Sequence, residues 1–509
     1  MQKINTQHGP WPLHDAAASR RVEAAALAAN APHALMLGAG LALAKLAAAL
    51  RPDAQCIKVL VGPGNNGGDG WVAASFLQAW GRVVRVAPCG NATTSVVDAC
   101  WARQRAIDAG VPIAQSSEVG PVGATDLVID ALLGLGHTRA MEGEMALVIG
   151  RLQTLTACVL AVDIPTGLHS DTGAPLGPVR VRADHTLTLL TLKPGLFTAS
   201  GRDLAGQVWW DDLGVGAGGV APSAQLFGVN NVPALLPPRQ HATHKGSYGD
   251  VAVIGGAAGM TGAAWLAACA AHAAGAGRVF VSLLTADTQN APPPQRPELM
   301  QRTAWWANPP ATLRATTVVC GCGAGSGVKE VLPALLHHAA RLVLDADALN
   351  AIANDVQLKS LLRARARCAM PSIITPHPLE AARMLGMTAA QVQADRILAA
   401  QRLADDLLCV VVLKGSGTIV AAPGEPPRIN LCGNAALASP GSGDVLAGWI
   451  GGLWSALAGV EPPAPASAVA TASAALHGHA ADQHVRAVGT RLPLRAADLV
   501  DMMRLALPQ

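Results

Sequence analysis

The feature that most constrains this chain is a recurring unit: a short apolar run, a loop rich in Gly, Asp or Asn, then a helical pattern. Ile57-Lys-Val-Leu-Val61 is followed by Gly-Pro-Gly-Asn-Asn-Gly-Gly-Asp-Gly70 and then by a helical run over 71–80. Further apolar runs stand at 82–86, 126–130, 158–163 and 185–190. Alternating β and α units imply a parallel sheet covered by helices on both faces. Such sheets bind ligands beyond the carboxyl ends of their strands. Asn65, Asn66, Asp69, Asp130, Asp163, Thr166 and Lys193 fall at those ends. One aspartate there reads as a cap or turn residue; several on one edge read as a site.

The stretch 62–70 supports two readings. Glycine permits positive φ and close backbone approach, and a strand, glycine loop and helix can aim backbone N–H groups at an anion. It is equally an ordinary tight βα turn, because a short glycine motif is weak evidence by itself.

A chain of 509 residues is expected to hold two or more domains. Residues 214–223 are a loop by composition and 232–239 read as a connector, so the border falls between about 215 and 240. Hydrophobic content of 51% with 14% charge describes a core-rich globular protein, not a disordered one. A net charge of +3 points to no polyanion partner, and Arg363-Ala-Arg-Ala-Arg367 reads as a solvated helix end. The 10 cysteines show no metal-type spacing and suit small buried hydrophobes in a reducing cytosol. The apolar segments 34–50 and 446–460 read as buried helices, not membrane spans, and the first residues lack a signal-peptide core.

The second half repeats the theme with runs at 251–254, 317–320, 341–344, 372–375 and 409–413. Its most chemical loop is Gly441-Ser-Gly-Asp444, which opens an apolar helix. Bare amides and the helix dipole favour a phosphate there. Asp444 can then take a proton from a hydroxyl attacking a phosphoryl group, or it can simply be an N-cap. Lys414-Gly-Ser-Gly-Thr418 offers a second turn for nucleotide phosphates, although its spacing is not a Walker A.

Residues 61–70, 126–134 and 161–173 resemble the epimerase half of the bifunctional NAD(P)H-hydrate repair enzymes. Residues 244–262, 374–380, 411–418 and 434–448 resemble the dehydratase half. Asn-Asn-Gly-Gly-Asp-Gly with Val-Asp-Ile-Pro-Thr-Gly is specific in combination, as is His-Lys-Gly-Ser-Tyr-Gly with Pro-Gly-Ser-Gly-Asp-Val-Leu-Ala-Gly. The resemblance follows the family's order over nearly the whole chain. It implies an α/β protein with a Rossmann-like three-layer epimerase domain at 1–220, a linker at 221–240 and a ribokinase-like α/β dehydratase domain at 241–509. The first domain would interconvert the R and S hydrates of NADH and NADPH. The second would dehydrate the S form at the expense of a nucleotide. The domain order resembles the bacterial arrangement, which implies ADP.

Residue roles follow from the same resemblance. Asn65, Asn66, Gly67, Gly68 and Asp69 would hold the hydrate, and Gly134, Leu135, Gly136, His137, Thr138, Arg139 and Ala140 would cover its phosphates. Asn66, Asp130 and Thr166 match potassium ligands, and oxygen donors suit a hard cation. Asp163 is the candidate acid/base. In the second domain Ala263, Gly325, His377 and Asp444 would contact the hydrate, with Asp444 as base. Lys414, Gly415, Ser416, Gly417, Thr418 and Gly443 would contact the nucleotide, whose transferring phosphate Mg2+ would bridge. Thr166 stands where Ser is usual, and Gly321-Cys-Gly-Ala-Gly325 replaces the usual Gly-Pro-Gly-Leu-Gly.

The expected partners are small molecules, the hydrates and ADP, with no nucleic acid and no membrane. A homo-oligomer in the cytoplasm is expected. Two rival readings exist. A ribokinase-type vitamin or sugar kinase shares the Gly441 to Asp444 loop but leaves the first domain unexplained. A nucleotide-binding scaffold leaves Asp163 and Asp444 without a purpose.

Overall fold

The computed structural model describes every residue except 7, 91–95, 116–122, 154–155, 232–234, 236–238, 286–295, 490–491 and 507–509. Most of the expected connector 232–239 lies outside the described residues. The chain divides into two compact units, Met1–Asn5 with Trp11–Ala224, and Thr6–Pro10 with Gln225–Gln509. Both are α/β, the expected class.

The first unit's sheet runs in the order Gln2–Lys3, Gln207–Asp211, His185–Leu189, Cys158–Val162, Leu127–Ala131, Ile57–Val61, Val84–Pro88. Only the first pair is antiparallel. Side chains alternate across each strand. Ile57, Val59 and Val61 therefore join one core with Leu43 and Val72, while Leu60 joins another with Val128 and Ile149. A core on each face of the sheet makes three layers. From Ile57–Val61 the chain moves outward to Val84–Pro88, then returns to set Leu127–Ala131 on the other side of its starting strand. The strand order reverses there, and ligands of open α/β sheets bind at such a switch point.

The stretch expected as a glycine loop is mostly helix. Asn65–Ala79 is helical from Asn65, with Gly64 as N-cap. None of Gly67, Gly68 and Gly70 has positive φ. Their requirement is space: a Cβ at Gly67 would lie 2.0 Å from Gly62 O, and one at Gly70 2.7 Å from Ala131 Cβ. Gly62 itself would meet Leu132 O at 1.8 Å. Close approach of two strand ends and a helix, not left-handed backbone, dictates glycine here.

The second unit's sheet runs in the order Met300–Gln301, Arg278–Leu283, Asp250–Gly255, Thr316–Cys320, Arg341–Leu344, Ser372–Ile374, Val410–Leu413, Ile419–Ala421, Arg428–Asn430, Ala224–Phe227. It is parallel through Val410–Leu413, and Ile419–Ala421 pairs antiparallel with both of its neighbours. Ala224–Phe227 falls inside the expected 221–240 linker, yet it is a strand parallel to Arg428–Asn430. The order reverses between Asp250–Gly255 and Thr316–Cys320, giving this sheet its own switch point.

The alanine and glycine bias has a packing reason here. The helices Ser442–Ala456 and Thr261–Ala273 touch so closely that a Cβ at Gly448 or Gly452 would lie 2.0 or 2.1 Å from the carbonyl oxygen of Ala267 or Ala271. No single described helix is long and apolar enough to cross a membrane. Ala34–Leu50 buries Leu43 and Leu46 in the first core.

The arginine cluster departs from its expected solvated role at one position. Arg365 is fully buried, and it donates to Ser372 Oγ at 2.7 Å, Ala339 O at 2.8 Å and Leu336 O at 2.9 Å. Its guanidinium satisfies carbonyls at a helix end, which no periodicity in 363–367 announces.

Candidate active sites

A cavity of about 440 Å³ opens where the first sheet reverses order. Asn65, Asn66, Asp69, Gly134, Leu135, Gly136, His137 and Asp163 line it. Gly67 and Gly68 do not; they pack the helix start against Gly62 and Met36. Thr138, Arg139 and Ala140 are exposed and stand outside the lining.

Asp163 follows the strand Cys158–Val162 and holds a left-handed backbone, φ 64°, which aspartate tolerates better than most residues. Its Oδ1 accepts from Lys193 Nζ, and from Thr188 Oγ1 and Leu189 N, each at 3.3 Å. Lys193 is buried, and its Nζ also donates to Leu189 O at 2.7 Å. Three donors thus hold one carboxylate oxygen of a cavity-lining residue. Asp69 lies in the second turn of its helix, also lining the cavity. Burial pushes its carboxyl well above the usual range, and the charges of Asp163 and Glu23 add to this. Burial also raises Glu23, with Asp163 contributing. Lys193 was visible as a strand-end residue but had no assigned role. Glu23, on the helix Ala16–Ala29, carried no sequence signal.

Asp130 is wholly buried. It accepts from Thr166 Oγ1 at 2.7 Å, Thr166 N at 2.8 Å and Leu132 N at 3.3 Å. Burial moves it up to about 6, and the Thr166 and Leu132 donors oppose that shift. No ion pair to it is made among the described residues. The Thr166 hydroxyl also accepts from Leu133 N at 3.1 Å. Asn66 lies against the next residue of that loop: a Cβ at Gly134 would meet its Oδ1 at 3.1 Å. The Asn66 Nδ2 is buried with no hydrogen-bond partner. The three expected cation ligands therefore converge on the loop 132–134.

In the second unit Asp444 is the third residue of the helix Ser442–Ala456, whose N-cap is Gly441 at φ 87°. The N-cap reading of Asp444 is thereby corrected. Ligand atoms of Cys322, Asp345 and Asp444 all lie within 4.8 Å of one another. Asp345 ends the strand Arg341–Leu344, and its Oδ1 accepts from Lys414 Nζ at 2.6 Å and Thr375 Oγ1 at 2.7 Å. A Cβ added at Gly443 would stand 3.3 Å from Lys414 Nζ, so the 414–418 turn and the 441–444 loop face each other. Burial raises Asp444 to about 6 and the Asp345 charge adds to it, while the Cys322 thiol and Lys414 ammonium oppose. The cysteine that departs from the family pattern thus stands beside the Asp444 carboxylate.

The remaining expected residues fall around this centre. Gly325, at φ 61°, donates its N–H to Asp347 Oδ2 at 2.8 Å. Ala263 abuts the same loop: a Cβ at Gly323 would lie 2.9 Å from its own. His377 caps Pro378–Leu385 by accepting from Leu379 N at 3.1 Å, and its Nε2 lies 3.2 Å from Glu380 Oε1. Gly415 and Gly417 take φ of 132° and 63°, and Ser416 is exposed between them. Thr418 closes the turn onto Gly415 O at 3.3 Å.

Asp345 and His477 are additions to the sequence reading. Asp345 sits at a strand end like Asp130, a signal of the kind already used. His477 Nε2 reaches Ser442 O at 3.0 Å, and burial drops its pKa to about 4. A neutral ring facing a carbonyl must donate, so His477 tethers the start of the Asp444 helix.

Two open α/β modules, each with a carboxylate and lysine paired beyond the carboxyl ends of its parallel strands, define a two-site enzyme. Family models agree: one described as NAD(P)H-hydrate dehydratase matches residues 251–502, and one described as YjeF-related protein N-terminus matches 32–195. The bifunctional NAD(P)H-hydrate repair enzyme Nnr of Escherichia coli K12 is 37% identical over 507 residues, covering 98% of this chain and 94% of that one. The same-named enzyme of Moorella thermoacetica is 35% identical over 477 residues, covering 88% and 86%. An ADP/ATP-dependent NAD(P)H-hydrate dehydratase of Bacillus subtilis, co-crystallised with ATP and Mg2+, covers 54% of this chain and 94% of its own at 27% identity, with a TM-score of 0.45. The chain belongs to the bifunctional NAD(P)H-hydrate repair enzymes, an epimerase module followed by a dehydratase module.

Proposed function

We propose that the Asp163 cavity exchanges the R and S hydrates of NADH and NADPH, and that the Asp444 site phosphorylates the S hydrate with ADP and eliminates phosphate. The observation that carries this reading is Asp444 in a glycine-rich helix start, facing Lys414.

In the first module, C6 epimerisation breaks and remakes a C–O bond. The ring nitrogen's electron pair expels the C6 hydroxyl, which leaves as water once protonated. Water then adds to the other face of the ring iminium and returns the proton. Asp69, whose carboxyl burial pushes well above its usual range, is the candidate acid. Asp163, beside the Lys193 ammonium, supplies a carboxylate. Asn66, Asp130 and Thr166 would hold K+. They fit it: the wholly buried Asp130 carboxylate has only neutral donors as its hydrogen-bond partners, and exchanging O and N of the Asn66 amide would turn an oxygen toward the buried position where its nitrogen has no partner. Bound there, K+ would supply positive charge close to the sheet's switch point.

In the second module, Asp444 takes the C6 hydroxyl proton as its oxygen attacks the nucleotide's terminal phosphorus, and AMP leaves. Loss of phosphate from C6 with a proton from C5 restores the double bond. Converting hydroxide to phosphate lowers the leaving-group barrier, which accounts for a nucleotide being consumed in a net dehydration. Lys414 stands by the phosphates, with the 415–418 turn and Gly443 amides around them. Mg2+ would ride on phosphate oxygens and neutralise their charge. Cys322, Asp345 and Asp444 make a poor dedicated magnesium cage, because one atom is sulfur and one carboxylate already holds Lys414.

ADP is favoured by the domain order. A cytoplasmic homo-oligomer acting on small molecules completes the reading.

The test is hydrated NADH with either nucleotide, followed at the reduced-nicotinamide absorbance. Recovery beyond the S fraction is expected with ADP. No recovery with either nucleotide, in well-folded protein, overturns the reading. A pH profile adds a second check. Asp444 must be ionised to accept a proton, and its carboxyl titrates at about 6. Dehydratase kcat/KM is expected to be flat above that pH and to fall about tenfold per unit below it.

A further inference from the structure

We propose that Cys432, His479 and Asp482 form a zinc-class metal site in the second module. None of the three belongs to the Asp444 site, and the proposal does not rest on the repair reading. One ligand atom from each residue lies within 4.8 Å of the other two. Zinc bonds of about 2.0–2.3 Å in a tetrahedron set ligand atoms about 3.3–3.8 Å apart. Side-chain adjustments of about 1 Å close that gap.

The frame around the three is rigid. His479 and Asp482 stand three apart on the helix Ala466–Val488, so they share one face. Cys432 follows the strand Arg428–Asn430. That turn meets the helix so tightly that a Cβ at Gly478 would lie 2.5 Å from Cys432 O. The Asp482 carboxylate is already oriented, accepting from Gly433 N at 3.0 Å and Asn434 Nδ2 at 2.9 Å. Such outer hydrogen bonds aim a ligand at a metal.

The imidazole carries the second, independent observation. Its Nε2 lies 3.1 Å from the Gln483 side-chain nitrogen, while its Nδ1 is buried with no hydrogen-bond partner. A buried polar atom without a partner calls for an explanation, and a missing ion is one. A carboxylate and a thiolate balance a divalent charge, and the thiol proton goes to water on binding. Cys432 is buried while His479 and Asp482 are half-exposed, which gives an ion a way in and leaves the fourth position to water. Cys432 and His479 lie far apart in sequence, so no spacing rule finds the set.

Cobalt(II) is the probe, titrated into metal-free full-length protein. One equivalent is expected to bind with a thiolate-to-cobalt charge-transfer band, to raise the melting temperature and to be displaced by Zn2+. Cys432→Ser is expected to lose the band. His479→Gln, at a half-exposed position that tolerates change better, is expected to weaken Zn2+ binding by at least about tenfold. The proposal is overturned if the parent gives no thiolate band, if Cys432→Ser keeps it, or if His479→Gln binds Zn2+ as the parent does.

Discussion

Asp444→Ala is expected to slow nucleotide-dependent recovery of NADH from its S hydrate by about 10²–10⁴-fold, the usual contribution of a positioned acid or base. Exchange between R and S hydrates should continue at the parental rate, because Asp444 lies in the second unit and the Asp163 cavity in the first. The two activities are separable in one tube: the chiral composition of the hydrate reports exchange, and absorbance reports dehydration. Asp444→Asn is the companion, since it keeps the shape beside Cys322 while removing the basic oxygen. Nucleotide affinity should survive both changes, as the 414–418 turn and the glycine amides are untouched. Dehydration at the parental rate in Asp444→Ala would remove the assigned base. Loss of both activities would instead point to a folding defect.

The sheets were legible because burial on both faces makes parallel strands read as continuous apolar runs. Ile57–Val61 and Leu127–Ala131 are fully buried throughout. Side-chain chemistry placed at strand ends was legible for the same reason: topology carries those ends to one edge whatever the loops do. Asp130 and Asp163 were found that way, and Asp444 by the glycine loop that opens its helix.

What the sequence hid was of two kinds. One was the role of glycine. Gly67 and Gly70 look like a flexible loop, yet they are helical residues with no room for a side chain. Composition cannot distinguish a glycine needed for its backbone angle from one needed for its size. The other was partnership between distant residues. Arg365 reads as one of three surface arginines until the carbonyls around it are known, and His477 has no local feature tying it to Ser442. Lys193 was noticed, but only its bond to Asp163 gives it a task.

Asp163→Asn is expected to lower R-to-S exchange by about 10²–10⁴-fold and to leave dehydration of the S hydrate unchanged. Given a mixture of epimers and ADP, the variant should recover NADH up to the S fraction and then stall. Asn is chosen over Ala because of Lys193. That side chain is 3% exposed and its ammonium is paired with a carboxylate 14% exposed. Deleting one partner of a buried ion pair costs about 3–5 kcal/mol, since the other charge stays buried without compensation. Asn still presents an oxygen to Lys193, Thr188 and Leu189, so part of that cost is avoided. A melting curve separates the two effects: lost exchange with a preserved transition reports chemistry, and lost exchange with a lowered transition reports the stranded ammonium. The reciprocal change, Lys193→Met, removes the ammonium and leaves the Asp163 carboxylate beside Asp69 and Glu23, both already pushed toward protonation by burial. Exchange should fall there too, because the carboxylate loses the buried donor that holds its oxygen in place. Parental exchange in Asp163→Asn would show that another group moves the proton at C6.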